Sequence, residues 1–257
     1  RYASNRFEGK PLALLTGATG AARSLIQRSW DTACEVPGVD NIFVATDDDR
    51  IAQVVRDFGG QVIMTSDTCR NGTERVAEAL QGLAAPADIV VNLQGDAPLT
   101  PPWFITGLIE EMKRDREVQM ATPVLQCDGH TLNMFIEDRR NGQVGGTTAV
   151  FDRNWDALYF SKEVLPFTDK PYAADAGTPV YHHVGAYAYR PKTLGQYVSW
   201  PEGALERLEG LEQLRFLDQA VKVRCVLVEG KGRVFWELNN PVDVARIEGV
   251  LKQNGWP

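Results

Sequence analysis

Across residues 41–114, short β-branched runs alternate with stretches of helical periodicity, and this alternation narrows the possible folds more than anything else in the chain. Residues 42–45 (IFVA) have a strand pattern. Asp47 or Asp48 is placed to cap the next helix, because a carboxylate can accept from the amides that a helix start leaves open. Ile51, Val54, Val55 and Phe58 recur at helical spacing, and Gly59-Gly60 stops that helix. Residues 61–66 read as the following strand. Thr73-Glu74-Arg75 opens a helix with Val76, Leu80 and Leu83 on one face. Ile89, Val90, Val91 and Leu93 read as a strand buried on both faces. Thr100-Pro101 then caps a helix whose inner face is Ile105, Leu108, Ile109 and Met112. The rhythm predicts an α/β fold, a mostly parallel sheet covered by helices.

From Val118 the pattern loosens. Residues 120–125, 147–151, 157–160 and 184–189 read as short strands, and 128–146 as a polar, irregular stretch. Residues 202–220 read as one helix and 221–228 as a strand. Asn240 as cap and Pro241 at the first helical position start a last helix that buries Val244, Ile247 and Leu251. A single domain over 1–257 is expected, with 118–190 as a less regular sub-region suited to a flap or subunit contact.

The chain has 257 residues, 44% of them hydrophobic and 24% charged, an ordinary globular composition. A net charge of −7 argues against a nucleic-acid groove but leaves a small anionic substrate open, because local charge governs a site. No apolar run approaches the ~18 residues that cross a bilayer, so no membrane role is expected. No signal-peptide pattern is visible. Cys34, Cys69, Cys127 and Cys225 are scattered, without a C-x-x-C pair; this speaks against a zinc site and fits a reducing cytoplasm. The chain begins on Arg1 rather than Met, so further sequence upstream is expected.

The run at residues 88–99, DIVVNLQGDAPL, carries the most chemistry. Gly95 lets a ligand approach the backbone closely. Asp96 would project from the carboxyl end of a central strand, where open α/β sheets bind ligands. A carboxylate there is a natural ligand for Mg²⁺, a hard ion shared between carboxylates and substrate phosphates. Residues 1–10 carry Arg1, Arg6 and Lys10 and read as a loop over a site or a frayed terminus. Thr16-Gly17-Ala18-Thr19-Gly20 resembles the cofactor loop of short-chain dehydrogenases. However, Arg23 stands at that motif's last glycine, which exists for close helix–strand packing. The catalytic Y-x-x-x-K is also missing, since Tyr159 and Lys162 are one residue too near. An NAD(P) reductase remains a rival at this point.

Several stretches, in order along nearly the whole chain, resemble the 3-deoxy-manno-octulosonate (KDO) cytidylyltransferases. They are RYASNRFEGKPL at the start, Val44-Ala45-Thr46-Asp47, Asn71-Gly72-Thr73-Glu74-Arg75 and Gln94-Gly95-Asp96. The match continues through Ala157-Leu158-Tyr159-Phe160-Ser161 with Pro166, His183-Val184-Gly185 with Tyr187, Leu205-Glu206, and Leu211-Glu212-Gln213-Leu214-Arg215. The resemblance implies a Rossmann-like nucleotidyltransferase with a smaller dimerisation region, acting in the cytoplasm as a homodimer. It implies CTP and an anionic sugar acid as substrates, Mg²⁺ as cofactor, and CMP-KDO and pyrophosphate as products. It also implies a strand ahead of Arg1.

By the same resemblance, Asp96, Lys10 and Arg6 would carry catalysis. The nucleotide would be held by Arg1, Ala3, Ser4, Arg6 and Lys10 of the first loop, with Asn71, Gly72, Thr73, Arg75 and Gly95. Gln94, Lys162, His183, Tyr187, Glu206, Glu209 and Gln213 would face the sugar acid, the last three from one face of a helix. Asp96 and Asn239 would be the metal ligands. Three positions depart from the family pattern: Ala97 for an acid, Asn239 for the second metal carboxylate, and Thr148 near the place of a lysine. Each removes a charge, and Asp243 is a candidate replacement acid. A weakened nucleotide-binding homologue, or an enzyme for another sugar acid, are therefore alternatives.

Overall fold

The computed structural model describes residues 2, 7–83, 87–144, 146–233, 238 and 240–256. In chain order a 3₁₀ turn at Lys10–Leu12 precedes β1 (Leu14–Thr16), β2 (Ala22–Ser24), α1 (Leu25–Cys34), β3 (Val44–Thr46) and α2 (Asp49–Asp57). Then come β4 (Val62–Met64), α3 (Gly72–Gln81), β5 (Val90–Leu93), α4 (Pro102–Arg114), β6 (Met120–Asp128) and α5 (Gly129–Arg140). β7 (Thr147–Phe151), β8 (Ala157–Ser161), β9 (Gly177–His183) and β10 (Ala186–Tyr189) follow. α6 (Pro191–Tyr197), α7 (Ala204–Glu209), α8 (Leu214–Asp218), β11 (Val223–Val228) and α9 (Asp243–Gln253) complete the order.

These elements form two compact units interleaved in sequence. The first holds Arg1–Pro86, Leu93–Thr106 and Gly230–Pro257. Its predicted periodicities hold: Asp48 caps α2 by accepting from the Arg50 amide, and Ile51 and Val55 are buried with Val44. β3 and β4 pair in parallel. A second cluster joins Leu15, Leu25 and Leu99 to Leu238, Ile247, Val250 and Leu251. The Thr16–Gly20 glycines turn an antiparallel hairpin, β1 to β2, and α1 starts only at Leu25 with Ser24 as its cap. A dinucleotide loop needs its glycines between a strand and a helix amino terminus, so the reductase reading fails here.

The second unit holds Ala87–Asn92 and Gly107–Glu229, and includes all of 118–190. Its seven-stranded sheet runs β5-β10-β6-β9-β7-β8, with β11 also on β6. The parallel expectation needs correcting. β6–β11 is parallel, but β6–β9, β6–β10, β7–β8 and β7–β9 are antiparallel. The reason is visible at β7–β8, which are joined by a tight turn where Trp155 donates to the Asp152 carbonyl. A parallel pair needs a crossover of a dozen residues or more. β5 buries Asn92 rather than a continuous apolar run.

Other expectations shift as well. The stretch 128–146 is not irregular: α5 fills most of it, capped by Asp128, with Leu132 and Phe135 buried. Gly129 is required there, since a Cβ would lie 2.1 Å from the Ala173 carbonyl oxygen. β9 contains Pro179, which obscures a strand in sequence. The helix expected over 202–220 is broken into α7 and α8, because Gly210 sits at φ +63 and ends α7. α3 is capped by Asn71, not Thr73, and α9 begins at Asp243 rather than at Pro241.

Candidate functional site

In the first unit Lys10 meets the turn after β5. Gly9, at φ +68, turns the chain into the 3₁₀ helix that begins with Lys10. Lys10 Nζ then lies 3.0 Å from Asp96 Oδ2. The backbone of the same turn is fixed from the carboxyl-terminal segment, where the Leu238 amide donates to the Asp96 carbonyl at 2.8 Å. Asp96 Oδ1 is shielded from solvent and has no hydrogen-bond partner among the described residues. A buried carboxylate oxygen without a donor is costly, and such an oxygen suits a hard cation or a ligand's donor. No group of three or more His, Cys, Asp or Glu side chains able to hold a metal occurs among the described residues. Gly95 is close to Ile26, whose Cδ1 would lie 3.2 Å from an added Cβ.

Of the other nucleotide candidates, Asn71 Oδ1 accepts from the Glu74 amide and starts α3. Thr73 is fully buried. Arg75 is taken up internally, by Asp47 at 2.7 Å and by the Thr65 hydroxyl. Gly72 is the first residue of α3, and Gln94 is half-buried. Arg1, Ala3, Ser4, Arg6 and Asn239 lie outside the described residues. Asp243 accepts from the Asn240 amide at 2.7 Å and is buried at the start of α9, a capping arrangement.

The second unit gathers His183, Tyr187 and Gln213. His183, from the end of β9, is buried. Its Nε2 is 3.0 Å from Thr122 Oγ1 on β6, and its Nδ1 is 3.1 Å from Thr147 Oγ1 on β7. Gln213 Nε2 stands 3.5 Å from the same Nδ1, and Gln213 Oε1 accepts from the Tyr187 hydroxyl at 3.2 Å. Burial, and secondarily the neighbouring His182, pushes the His183 imidazole down to about 3, so it is neutral at ordinary pH.

Glu209 and Lys162 meet at the end of β8. The Glu209 carboxylate accepts from the Ser161 hydroxyl at 2.7 Å, the Tyr159 hydroxyl at 3.2 Å and the Lys162 amide at 2.9 Å. Lys162 Nζ lies over Gly210, 3.1 Å from where a Cβ would be. Glu206 goes elsewhere: it is buried and pairs with Arg215 through Nε at 2.7 Å and Nη2 at 2.6 Å. Tyr197 adds its hydroxyl to Glu206 and its ring face to the Arg215 guanidinium. The break at Gly210 is what sends Glu206, Glu209 and Gln213 to three different partners instead of one helix face.

Thr122, Thr147, Ser161 and Arg215 were not anticipated as parts of these clusters. Their residue types carry no signal of their own, because their partners are 9 to 61 residues away in sequence. Thr148, expected near the place of the family's lysine, is buried and donates to the Glu163 carbonyl beyond the end of β8.

Comparison with known proteins gives the family. The family model described as cytidylyltransferase matches residues 1–223. A Maricaulis maris protein named 3-deoxy-manno-octulosonate cytidylyltransferase is 46% identical over 255 residues, covering 99% of this chain and 95% of its own. A protein of the same name from Chlamydia abortus is 38% identical, covering 98% and 91%. A solved structure of CMP:2-keto-3-deoxy-manno-octonic acid synthetase complexed with CTP is similar with a TM-score of 0.82 and 31% identity. The match spans 99% of this chain and 96% of that one.

Proposed function

The chain belongs to the cytidylyltransferase family, and from that premise we propose that it transfers CMP from CTP to 3-deoxy-manno-octulosonate. The observation that carries this reading is the extent of the relationship: 46% identity over 99% of the chain takes in both units. The sugar's anomeric oxygen forms a bond to the α-phosphorus of CTP. The bond from that phosphorus to the bridging oxygen breaks, pyrophosphate leaves, and the hydroxyl proton passes to solvent.

Both substrates are anions, so the protein's work is positioning and charge neutralisation. Lys10 supplies a fixed cation for the phosphates, and Arg1 and Arg6 add theirs from the same segment. Ala3, Ser4, Asn71, Gly72, Thr73 and Gly95 frame the nucleotide, with the open amides at the start of α3 suited to anionic oxygens. Arg75 acts behind them by tying α3 to Asp47. Asp96 is the principal ligand for Mg²⁺, and its unpaired Oδ1 fits that part. Asn239 would add a neutral oxygen. When bound there, Mg²⁺ supplies charge neutralisation on the phosphates.

In the second unit, Gln213, Tyr187 and His183 present polar atoms for the sugar acid, and Lys162 offers its carboxylate a point charge. Glu209 positions Lys162 through the backbone amide, and Glu206 stabilises α7 against α8. Gln94 belongs to the same substrate. The reading extends to a cytoplasmic homodimer; the four free thiols suit a reducing compartment.

Pyrophosphate release across a panel of nucleoside triphosphates and 2-keto sugar acids tests the proposal. CTP with KDO should lead the panel. Turnover confined to another sugar acid would replace the acceptor, and CTP binding without any release would leave a nucleotide-binding homologue.

A further inference from the structure

Thr122 Oγ1 on β6 touches three groups. The Ala186 carbonyl oxygen is at 2.9 Å, the Val184 carbonyl oxygen at 3.3 Å and His183 Nε2 at 3.0 Å. A hydroxyl has one hydrogen and a carbonyl has none. If that hydrogen went to the ring nitrogen, the hydroxyl oxygen would face two carbonyl oxygens with nothing between them. The hydrogen therefore goes to a carbonyl, and His183 Nε2 must itself carry a hydrogen and donate to Thr122. A buried neutral imidazole has only one N–H, so Nδ1 keeps its lone pair. That lone pair can accept from the Thr147 hydroxyl at 3.1 Å, whose other contact is the His183 carbonyl oxygen at 3.5 Å, and it faces the Gln213 amide nitrogen at 3.5 Å. The orientation of the Gln213 amide follows, with Oε1 left to accept from Tyr187.

We infer that Thr122 is a positioning residue, which holds His183 as its Nε2–H tautomer and through it orients the Gln213 amide and the Tyr187 hydroxyl for the sugar acid. With the opposite tautomer, Nδ1–H would confront the Gln213 NH₂, donor against donor. The amide would turn over, and its NH₂ would then face the Tyr187 hydroxyl where an acceptor now stands. Thr122 is fully buried, so it acts through His183 and not on substrate.

The inference rests on the functional reading above only for its substrate; the tautomer is measured without one. In protein labelled with ¹⁵N-histidine, long-range proton–nitrogen spectra at pH 7 should show His183 with a protonated Nε2 and a bare Nδ1. A protonated Nδ1, or an imidazolium, in the unaltered protein would overturn the inference whatever the variants do. Thr122→Val removes the acceptor and should populate the other tautomer. It should also raise KM for the sugar acid about tenfold, as expected for loss of one well-placed hydrogen bond, while KM for CTP stays within about twofold. Thr122→Ser keeps the hydroxyl and should restore both the spectrum and KM. A folded Thr122→Val with unchanged sugar-acid KM, or with both KM values raised equally, would refute the positioning role. If the unaltered protein turns over no sugar acid, the functional reading fails while the spectrum still judges the tautomer.

Discussion

Lys10 Nζ and Asp96 Oδ2, 86 residues apart in sequence, meet at 3.0 Å. The two side chains keep 15% and 27% of their surface exposed. The second carboxylate oxygen of Asp96 has no donor among the described residues, which suits the proposed role of this side chain as a metal ligand.

Asp96→Asn should therefore lower pyrophosphate release by about a hundredfold or more, the scale of losing a preorganised charge at a reacting phosphate. The free energy of unfolding in urea should change by less than about 1 kcal/mol. Full turnover by a folded Asp96→Asn variant would remove this carboxylate from the mechanism.

Chelation should abolish turnover without unfolding the protein. No cluster of three or more ligating side chains exists among the described residues to act as a structural metal site. Activity lost with EDTA should return with added Mg²⁺, while the far-ultraviolet circular dichroism stays unchanged throughout. Undiminished activity after exhaustive chelation would contradict the proposed cofactor.

The Glu206–Arg215 pair should behave in the opposite way. Both residues are buried, Arg215 completely. Arg215→Met leaves a carboxylate buried without its partner and should cost about 3–5 kcal/mol. The double variant Glu206→Leu with Arg215→Met should recover most of that loss, because it removes the stranded charge. Urea titrations of both variants would show it; equal destabilisation in the two would mean the pair is not electrostatically coupled as drawn.

Acid should weaken the fold earlier than carboxylates alone would. Burial pushes His183 down to about 3 and His182 down to about 4, against an ordinary histidine near 6.5. Their folded forms resist the proton that the unfolded chain accepts. Stability is fully present above pH 6.5 and falls as pH drops toward the depressed values, by up to about 1.4 kcal/mol per pH unit for each group. Urea unfolding at intervals from pH 7 to 5 should show this slope, reduced by His183→Gln. A flat profile across that window would place the histidines in contact with water.

Much of the first unit was legible because its signals are local. The carboxylate at Asp48, the spacing of Ile51 and Val55, and the stop at Gly59 all act within a few residues of one another. The second unit was harder. Pro179 disguises β9, α5 has a short apolar face within polar surroundings, and Gly210 interrupts what reads as one helix. Strand direction was also hidden, since an apolar run looks the same whichever way its neighbour points. Among the candidate site residues, the Gln-Gly-Asp turn and the His183, Tyr187 and Gln213 positions could be picked out from family motifs. Their partners could not, since Thr122 and Thr147 are ordinary strand residues until the sheet sets them beside an imidazole.

The amino-acid order alone settled the family and the helices with strong caps, because these depend on residue type and short-range spacing. Tertiary structure alone decided the antiparallel sheet, the pairing of Lys10 with Asp96, and the withdrawal of Glu206 into a buried ion pair with Arg215. Those outcomes depend on which distant segments come within hydrogen-bonding reach, and chain closure over tens of residues leaves no mark on local sequence.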